Sequence, residues 1–249
     1  MRSPRKLKRR AKEEKYLSQA QKRVFPYKNF QIQEFRWGNA DAPVVLCIHG
    51  WEGNAGNFGS FSSVFTKMGY QMIALDGPAH GESSRGKIHM FEYIDFVTQQ
   101  VERLQPEIIV SHSFGSVCTV FSLLRLKTLN LKKWIAVTTP NAFRDYLNHM
   151  LAPFQVKNTT KEALIRRIEK RVEFPFEELD MAHTHKYVEQ FPKTAIFHSK
   201  ADTIIPFWQA ENAAKAIPDA DFYALEKVGH YKILWNKELL SQVEAWMES

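Results

Sequence analysis

At 249 residues with 44% hydrophobic content, the chain suits one large domain with a sizeable core. Its formal charge of +7 is unevenly placed: residues 1–23 carry ten Lys or Arg against Glu13 and Glu14, a charge of +8, so the remainder balances to −1. The body is therefore nearly neutral, and the excess belongs to a basic N-terminal extension expected over residues 1–24, ahead of a domain over 25–249. No apolar core follows these bases, which argues against a secretory signal, and no run approaches the roughly 18 apolar residues of a spanning helix. Cys47 and Cys118 lie in apolar runs and read as small buried hydrophobes in a reducing compartment. A soluble, cytoplasmic chain is expected.

In chain order, Phe30–Trp37 alternates like an edge strand, and Val44–Ile48 is a continuous apolar run, as expected of a strand covered on both faces. Residues 71–75, 108–110, 134–137, 194–197 and Asp221–Leu225 continue the series. Between them, 58–68, Met90–Leu104, 117–129, 208–217 and 234–247 have helical character. The alternation predicts an α/β fold, a mainly parallel sheet with helices on both faces. One stretch interrupts it, because about 143–190 is far longer than a crossover helix requires. Leu164, Ile168 and Val172 give that stretch an apolar stripe at helical spacing, and Phe143, Tyr146, Phe154, Phe174 and Phe176 make it aromatic-rich. A helical cap whose aromatics line an apolar pocket is expected there; the plainer reading is an insertion with its own small core.

The strongest chemical signal is the apolar run Ile108 to Val110 ending abruptly in Ser111-His112-Ser113-Phe114-Gly115, with an apolar helix behind it. This is the layout of a nucleophile elbow, where a serine hydroxyl is exposed on a strained strand-to-helix turn. The turn requires small side chains two positions either side of Ser113. The motif is normally written G-x-S-x-G, so Ser111 is a departure. Read alone, the segment is also a strand, a turn and a helix-capping serine.

Acyl transfer by serine further needs a base, a carboxylate to orient it, and donors for the oxyanion. Asp202 follows the strand at 194–197 in a loop closed by Ile205-Pro206. His230 follows Gly229 beyond the strand Asp221–Leu225. Ile48-His49-Gly50-Trp51 closes another strand and offers the Trp51 amide, which with the Phe114 amide would make an oxyanion hole. Each group stands at the C-terminal end of an expected strand, where parallel sheets place their sites. The order Ser113, Asp202, His230 is the nucleophile, acid, base order of one of the unrelated folds that carry such a triad.

Together these motifs resemble the α/β-hydrolase superfamily from about Phe30 to the C-terminus. Asp76-Gly77-Pro78-Ala79-His80-Gly81-Glu82-Ser83 is similar to the D-x-P-G-H-G-x-S loop common in that family, with Ala79 in place of a glycine. The resemblance implies an eight-stranded sheet, a cap after the sixth strand, and no cofactor or metal. It implies an esterase-like serine hydrolase in which Ser113 attacks a short to medium carboxylic ester, His230 moves the proton and Asp202 orients it. Trp51 would also wall the pocket, with Phe143 and Tyr146 as further lining. The same triad serves thioester, amide or carbon–carbon bond hydrolysis and acyl transfer, and the scaffold also supports weakly active ligand-binding proteins.

Other residues compete for these roles. Some members of the family take the acid from the preceding strand's loop, but Val137-Thr138-Thr139-Pro140-Asn141 holds no carboxylate, and Asp145 is the nearest. His112 reads as packing, and His49 and His80 as loop braces. His183 and His185 lack the neighbouring Cys or acids of a metal site. The basic extension has too few interleaved aromatics for base stacking, which argues against nucleic acid. A solvated tail is expected, with weak contact between residues 1–23 and anionic lipid, at about 1 kcal/mol per charge near the surface, as the remaining partner reading. The oligomeric state is not legible.

Overall fold

The apolar runs become the middle of one sheet, and their side chains divide between its two faces. The protein is described by a computed structural model covering residues 4–5, 7–172 and 175–249, with the backbone alone at 146, 149, 150, 153, 171 and 172. In chain order the elements are α1 (Ala11–Leu17), β1 (Gln21–Tyr27), β2 (Phe30–Trp37), β3 (Val44–Ile48), α2 (Ser62–Lys67), β4 (Gln71–Asp76), α3 (Met90–Leu104), β5 (Ile108–His112), α4 (Phe114–Arg125) and β6 (Lys133–Val137). There follow α5 (Phe143–Leu151), α6 (Asn158–Val172), α7 (Met181–Thr184), β7 (Lys193–Ser199), α8 (Phe207–Ala216), β8 (Asp221–Leu225) and α9 (Lys237–Glu248).

The eight-stranded sheet has the order β1-β2-β4-β3-β5-β6-β7-β8. Only the pairs β1/β2 and β2/β4 are antiparallel; from β4 onward neighbours run parallel. Leu46, Ile48, Ile73, Ile109, Ala136 and Ile196 bury against one set of helices. Their alternates Val45, Cys47, Ala74, Val110, Ile135 and Phe197 bury in a second core on the other face. A period of two with both faces apolar explains why these strands read as continuous hydrophobic runs. Cys47 and Cys118 are buried free thiols, one in each core.

The N-terminal residues differ most from expectation. The expected boundary at 24 falls inside β1, which occupies the sheet edge and makes β2 the second strand. β1 escapes a pattern reading because its face is solvent-exposed and it carries Lys22, Arg23 and Pro26, residues that suit an unpaired edge. Before it, α1 packs on the 3₁₀ turn Ala55–Phe61, and Leu17 is fully buried in the second core. Arg5, Arg9 and Arg10 are ion-paired with Glu52, Asp76, Glu82 and Glu13 of the same chain.

Between β6 and β7 lies a helical insertion made of α5, α6 and α7. Ile168, Phe143 and Phe176 are buried within it, while Phe154 is exposed; Phe174 and the side chain of Val172 lie outside the described residues. α7 packs against α4 and α8, which anchors the insertion to the sheet side of the fold. Among the described residues no helix is long and apolar enough to cross a membrane.

Candidate active site

β5 delivers Ser113 to the turn before α4 with φ 54° and ψ −121°. A non-glycine residue rarely adopts such a conformation, and it persists only when the surroundings impose it. Here they do. The Ser113 amide donates to the Val137 carbonyl at 3.0 Å, tying the turn to β6. A Cβ at Gly115 would stand 2.2 Å from the Ile48 carbonyl oxygen, and one at Gly50 would meet the Ser113 Cβ at 3.1 Å. Gly115 therefore has no room for a side chain and Gly50 little, which lets the β3 and β5 loops close on each other.

Ser111, the departure from the elbow motif, is accommodated by hydrogen bonds. Its hydroxyl lies 2.8 Å from the Ser116 hydroxyl and accepts from Trp134 Nε1 at 2.8 Å. A buried hydroxyl without partners would be costly; Trp134 and Ser116 remove that cost. Sequence reasoning missed both, although a polar side chain buried at a glycine position had to find partners.

At the neighbouring strand ends, His230 Nδ1 lies 2.7 Å from Asp202 Oδ2, with both side chains almost wholly buried. Asp202 Oδ1 accepts the Ile204 and Ile205 amides at 2.8 and 3.0 Å. Burial pushes the Asp202 carboxyl up, but the hydrogen bond and charge of His230 and the two amides outweigh it and hold the group below its ordinary value. An ionised Asp202 accepts from Nδ1–H, which leaves His230 Nε2 as a proton acceptor.

His112 connects this pair to the elbow. Its ring centroid is 4.8 Å from that of His230, and its Nε2 is 3.0 Å from the His230 carbonyl oxygen. Burial, with the nearby His230, pushes His112 down to about 3, so it is neutral and donates Nε2–H to that carbonyl. The residue before Ser113 thus holds the backbone of His230. The structure brings Ser113, His112, His230 and Asp202 to one end of the sheet.

The β3 loop is braced with equal definition. His49 Nε2 accepts the Gly77 amide at 3.1 Å, so the proton resides on Nδ1, which donates to the Gly50 carbonyl at 2.8 Å. Gly53 N–H donates to the same carbonyl at 3.0 Å. In a trans peptide the carbonyl and the following N–H point opposite ways, so fixing Gly50 C=O fixes the Trp51 N–H. A Cβ at Gly50 would also lie 3.5 Å from the Phe114 nitrogen, so the loop after β3 runs close to the start of α4. Tyr93, unremarked in the sequence, donates to the His49 carbonyl at 2.8 Å and packs near-perpendicular to Trp51.

The remaining candidates are placed as follows. Trp51 is half-buried, edge-on to His80 and Phe114. Phe143 is buried with its ring against Phe121 and Phe176, and Tyr146 lies on α5 with its side chain outside the described residues. His80 bonds the Pro78 carbonyl and is pushed down to about 4 by burial. His198 Nε2 bonds the Ile205 carbonyl at 3.0 Å, bracing the Asp202 loop from beneath. His183 bonds the Asp180 carboxylate at the start of α7.

Sheet order, the strained Ser113 turn and the strand-end loops give the chain the α/β-hydrolase fold. The model of the alpha/beta hydrolase fold matches residues 43–152. A serine hydrolase-like protein from Danio rerio is 36% identical over 95 residues, 35% of this chain and 29% of that protein. A bifunctional esterase/perhydrolase from Acinetobacter calcoaceticus is 35% identical over 83 residues, 32% of this chain and 30% of its own length. The matches thus span about a third of the length of these relatives. The thioesterase domain from the curacin biosynthetic pathway superposes with a TM-score of 0.66 over 92% of this chain and 99% of that one, at 15% identity.

Proposed function

We propose that the protein is a serine hydrolase that cleaves a short to medium carboxylic ester through an acyl-enzyme. The observation that carries this reading is the 2.7 Å Asp202–His230 bond, tied through His112 to a turn that holds a serine at φ 54°. Ser113 Oγ attacks the carbonyl carbon while His230 Nε2 takes its proton. Asp202 keeps the imidazole in the acceptor tautomer and stabilises the imidazolium that forms. The Trp51 and Phe114 amides receive the oxyanion, each donor contributing about 3 kcal/mol to the transition state. The imidazolium then protonates the leaving alcohol, and water repeats the sequence to release the acid. Trp51 is read as walling the approach to Ser113 and the insertion over 143–190 as its cap; Phe143, expected beside Trp51, instead packs into the core against Phe121 and Phe176. No step requires a metal or cofactor.

Thioester, amide and acyl-transfer chemistry would use the same groups, so the substrate panel must include them. Chromogenic esters of two to eight acyl carbons, matched thioesters and anilides are assayed with wild type and Ser113→Ala. Ester turnover lost in the variant is expected. Turnover unchanged in Ser113→Ala would end the assignment, and thioester preference would move the substrate class without moving the mechanism.

A further inference from the structure

The basic N-terminal residues have a job on the folded body that their charge alone did not announce. Arg9 is almost buried, with Nη2 2.6 Å from Asp76 Oδ2 and Nη1 paired with Glu82. Asp76, whose side chain is wholly buried at the end of β4, accepts the Ala55 amide at 2.7 Å through Oδ1 and the Glu82 amide at 2.6 Å through Oδ2. One carboxylate thereby joins the segment after Trp51 to the loop that carries His80, whose ring lies 5.3 Å from that of Trp51. Removing Arg9 would leave Asp76 without its cation in a buried site, a costly state that is relieved by local rearrangement.

Arg5 acts one residue from the donor. Its guanidinium grips both Glu52 oxygens, with Nε at 2.9 and 3.0 Å and Nη2 at 2.8 Å, and its own amide donates to Oε1 at 3.1 Å. Glu52 follows Trp51 directly and sits at φ 63°, a left-handed conformation that needs outside support in a glutamate. A third tie comes from Glu13, which accepts Asn57 Nδ2 at 3.1 Å and is itself held by Arg10. Three contacts from α1 and the residues before it thus reach the 50–57 loop and its brace.

We propose that Arg5 and Arg9 are positioning residues: through Glu52 and Asp76 they strap down the loop that presents the Trp51 amide to the oxyanion. This rests on the reading of Trp51 as an oxyanion donor. Neither arginine touches substrate. Their effect should therefore fall on the transition state and leave ground-state binding alone.

The test uses the full chain with Arg5→Ala, Arg9→Ala, Arg9→Lys, Glu52→Gln and the Arg5→Ala/Glu52→Gln pair. Active sites are titrated with a fluorophosphonate, kcat per labelled site and KM are measured on a chromogenic acetate ester, and thermal midpoints are recorded. Since losing a whole donor costs 10²- to 10³-fold, a displaced one should lower kcat per site by about 10-fold or more in Arg9→Ala and by a smaller factor in Arg5→Ala, with KM within about 2-fold. Arg9→Lys should recover part of the loss, and the paired variant should be no worse than Arg5→Ala alone. A merely structural role would lower the midpoint and the labelled fraction with kcat per site unchanged. Unchanged kcat per site in Arg5→Ala, which is exposed and should fold, overturns the strap even if Arg9→Ala does not fold. Absence of labelling in wild type would overturn the hydrolase reading, and the strap with it; labelling with unchanged kcat overturns the strap alone.

Discussion

The loops after β3, β5, β7 and β8 and the segment ahead of β1 are both held in place, but by different physical means. At the strand ends the backbone does it: Ser113 at φ 54°, Gly115 against the Ile48 carbonyl, and a peptide at Gly50 held by His49. In the N-terminal segment long charged side chains do it, with Arg5 largely exposed and Arg9 covered. Backbone constraints of the first kind have few alternatives. Ion pairs of the second kind are screened by salt when exposed and strengthen only where water is excluded. The strand ends should thus be sensitive to single atoms, and the N-terminal segment to burial.

The largest effect separating the two regions is expected at Asp202. In Asp202→Asn the amide stabilises the wrong imidazole tautomer, so kcat should fall by about 10⁴-fold with little change in thermal midpoint. A loss below tenfold in ester turnover would remove Asp202 from the mechanism.

Next comes Leu17→Ala in the N-terminal segment. Leu17 is fully buried among Phe35, Phe58 and their neighbours, so truncation should cost about 3 kcal/mol in urea unfolding. A solvated tail would give no change.

Acid should act on the strand-end loops more gradually. Burial holds His112 down to about 3 and His80 to about 4, against an ordinary value of 6.5. Between those values the unfolded chain binds protons that the folded chain excludes, so stability falls as pH drops through 6.5. Each such histidine contributes a loss on the order of 2 kcal/mol by pH 5. Asp202, held low, adds its loss only as pH falls below about 3.8, whereas Asp76, raised by burial, opposes the trend from 3.8 upward. Thermal midpoints that stay flat from pH 7 to 5 would contradict this balance.

The smallest effect is a gain. Ser113→Gly relieves the positive φ, so it should raise stability by about 1 kcal/mol while abolishing turnover. Loss of stability there would mean that the turn is not strained.

Which parts were legible follows the same division. The strand-end positions of Ser113, Asp202 and His230 could be read because glycines and short loops surround them at fixed spacing, and each such feature records a backbone demand. The parallel core could be read because both faces bury alternate residues of runs such as Val44–Ile48. β1 could not, since an exposed edge leaves no hydrophobic record. Nor could Arg9 be matched to Asp76, because charge counts carry no information about a partner 67 positions away. Trp134 and Ser116 fall between: the anomaly at Ser111 announced that partners must exist without saying which.

The claim on which all else depends is that Ser113 is an activated nucleophile. Wild type should react with a fluorophosphonate at a single residue, located by peptide mass spectrometry to Ser113, with the adduct absent in Ser113→Ala and its formation slowed by orders of magnitude in His230→Ala. No adduct on folded wild-type protein, or one located at another residue, would contradict it.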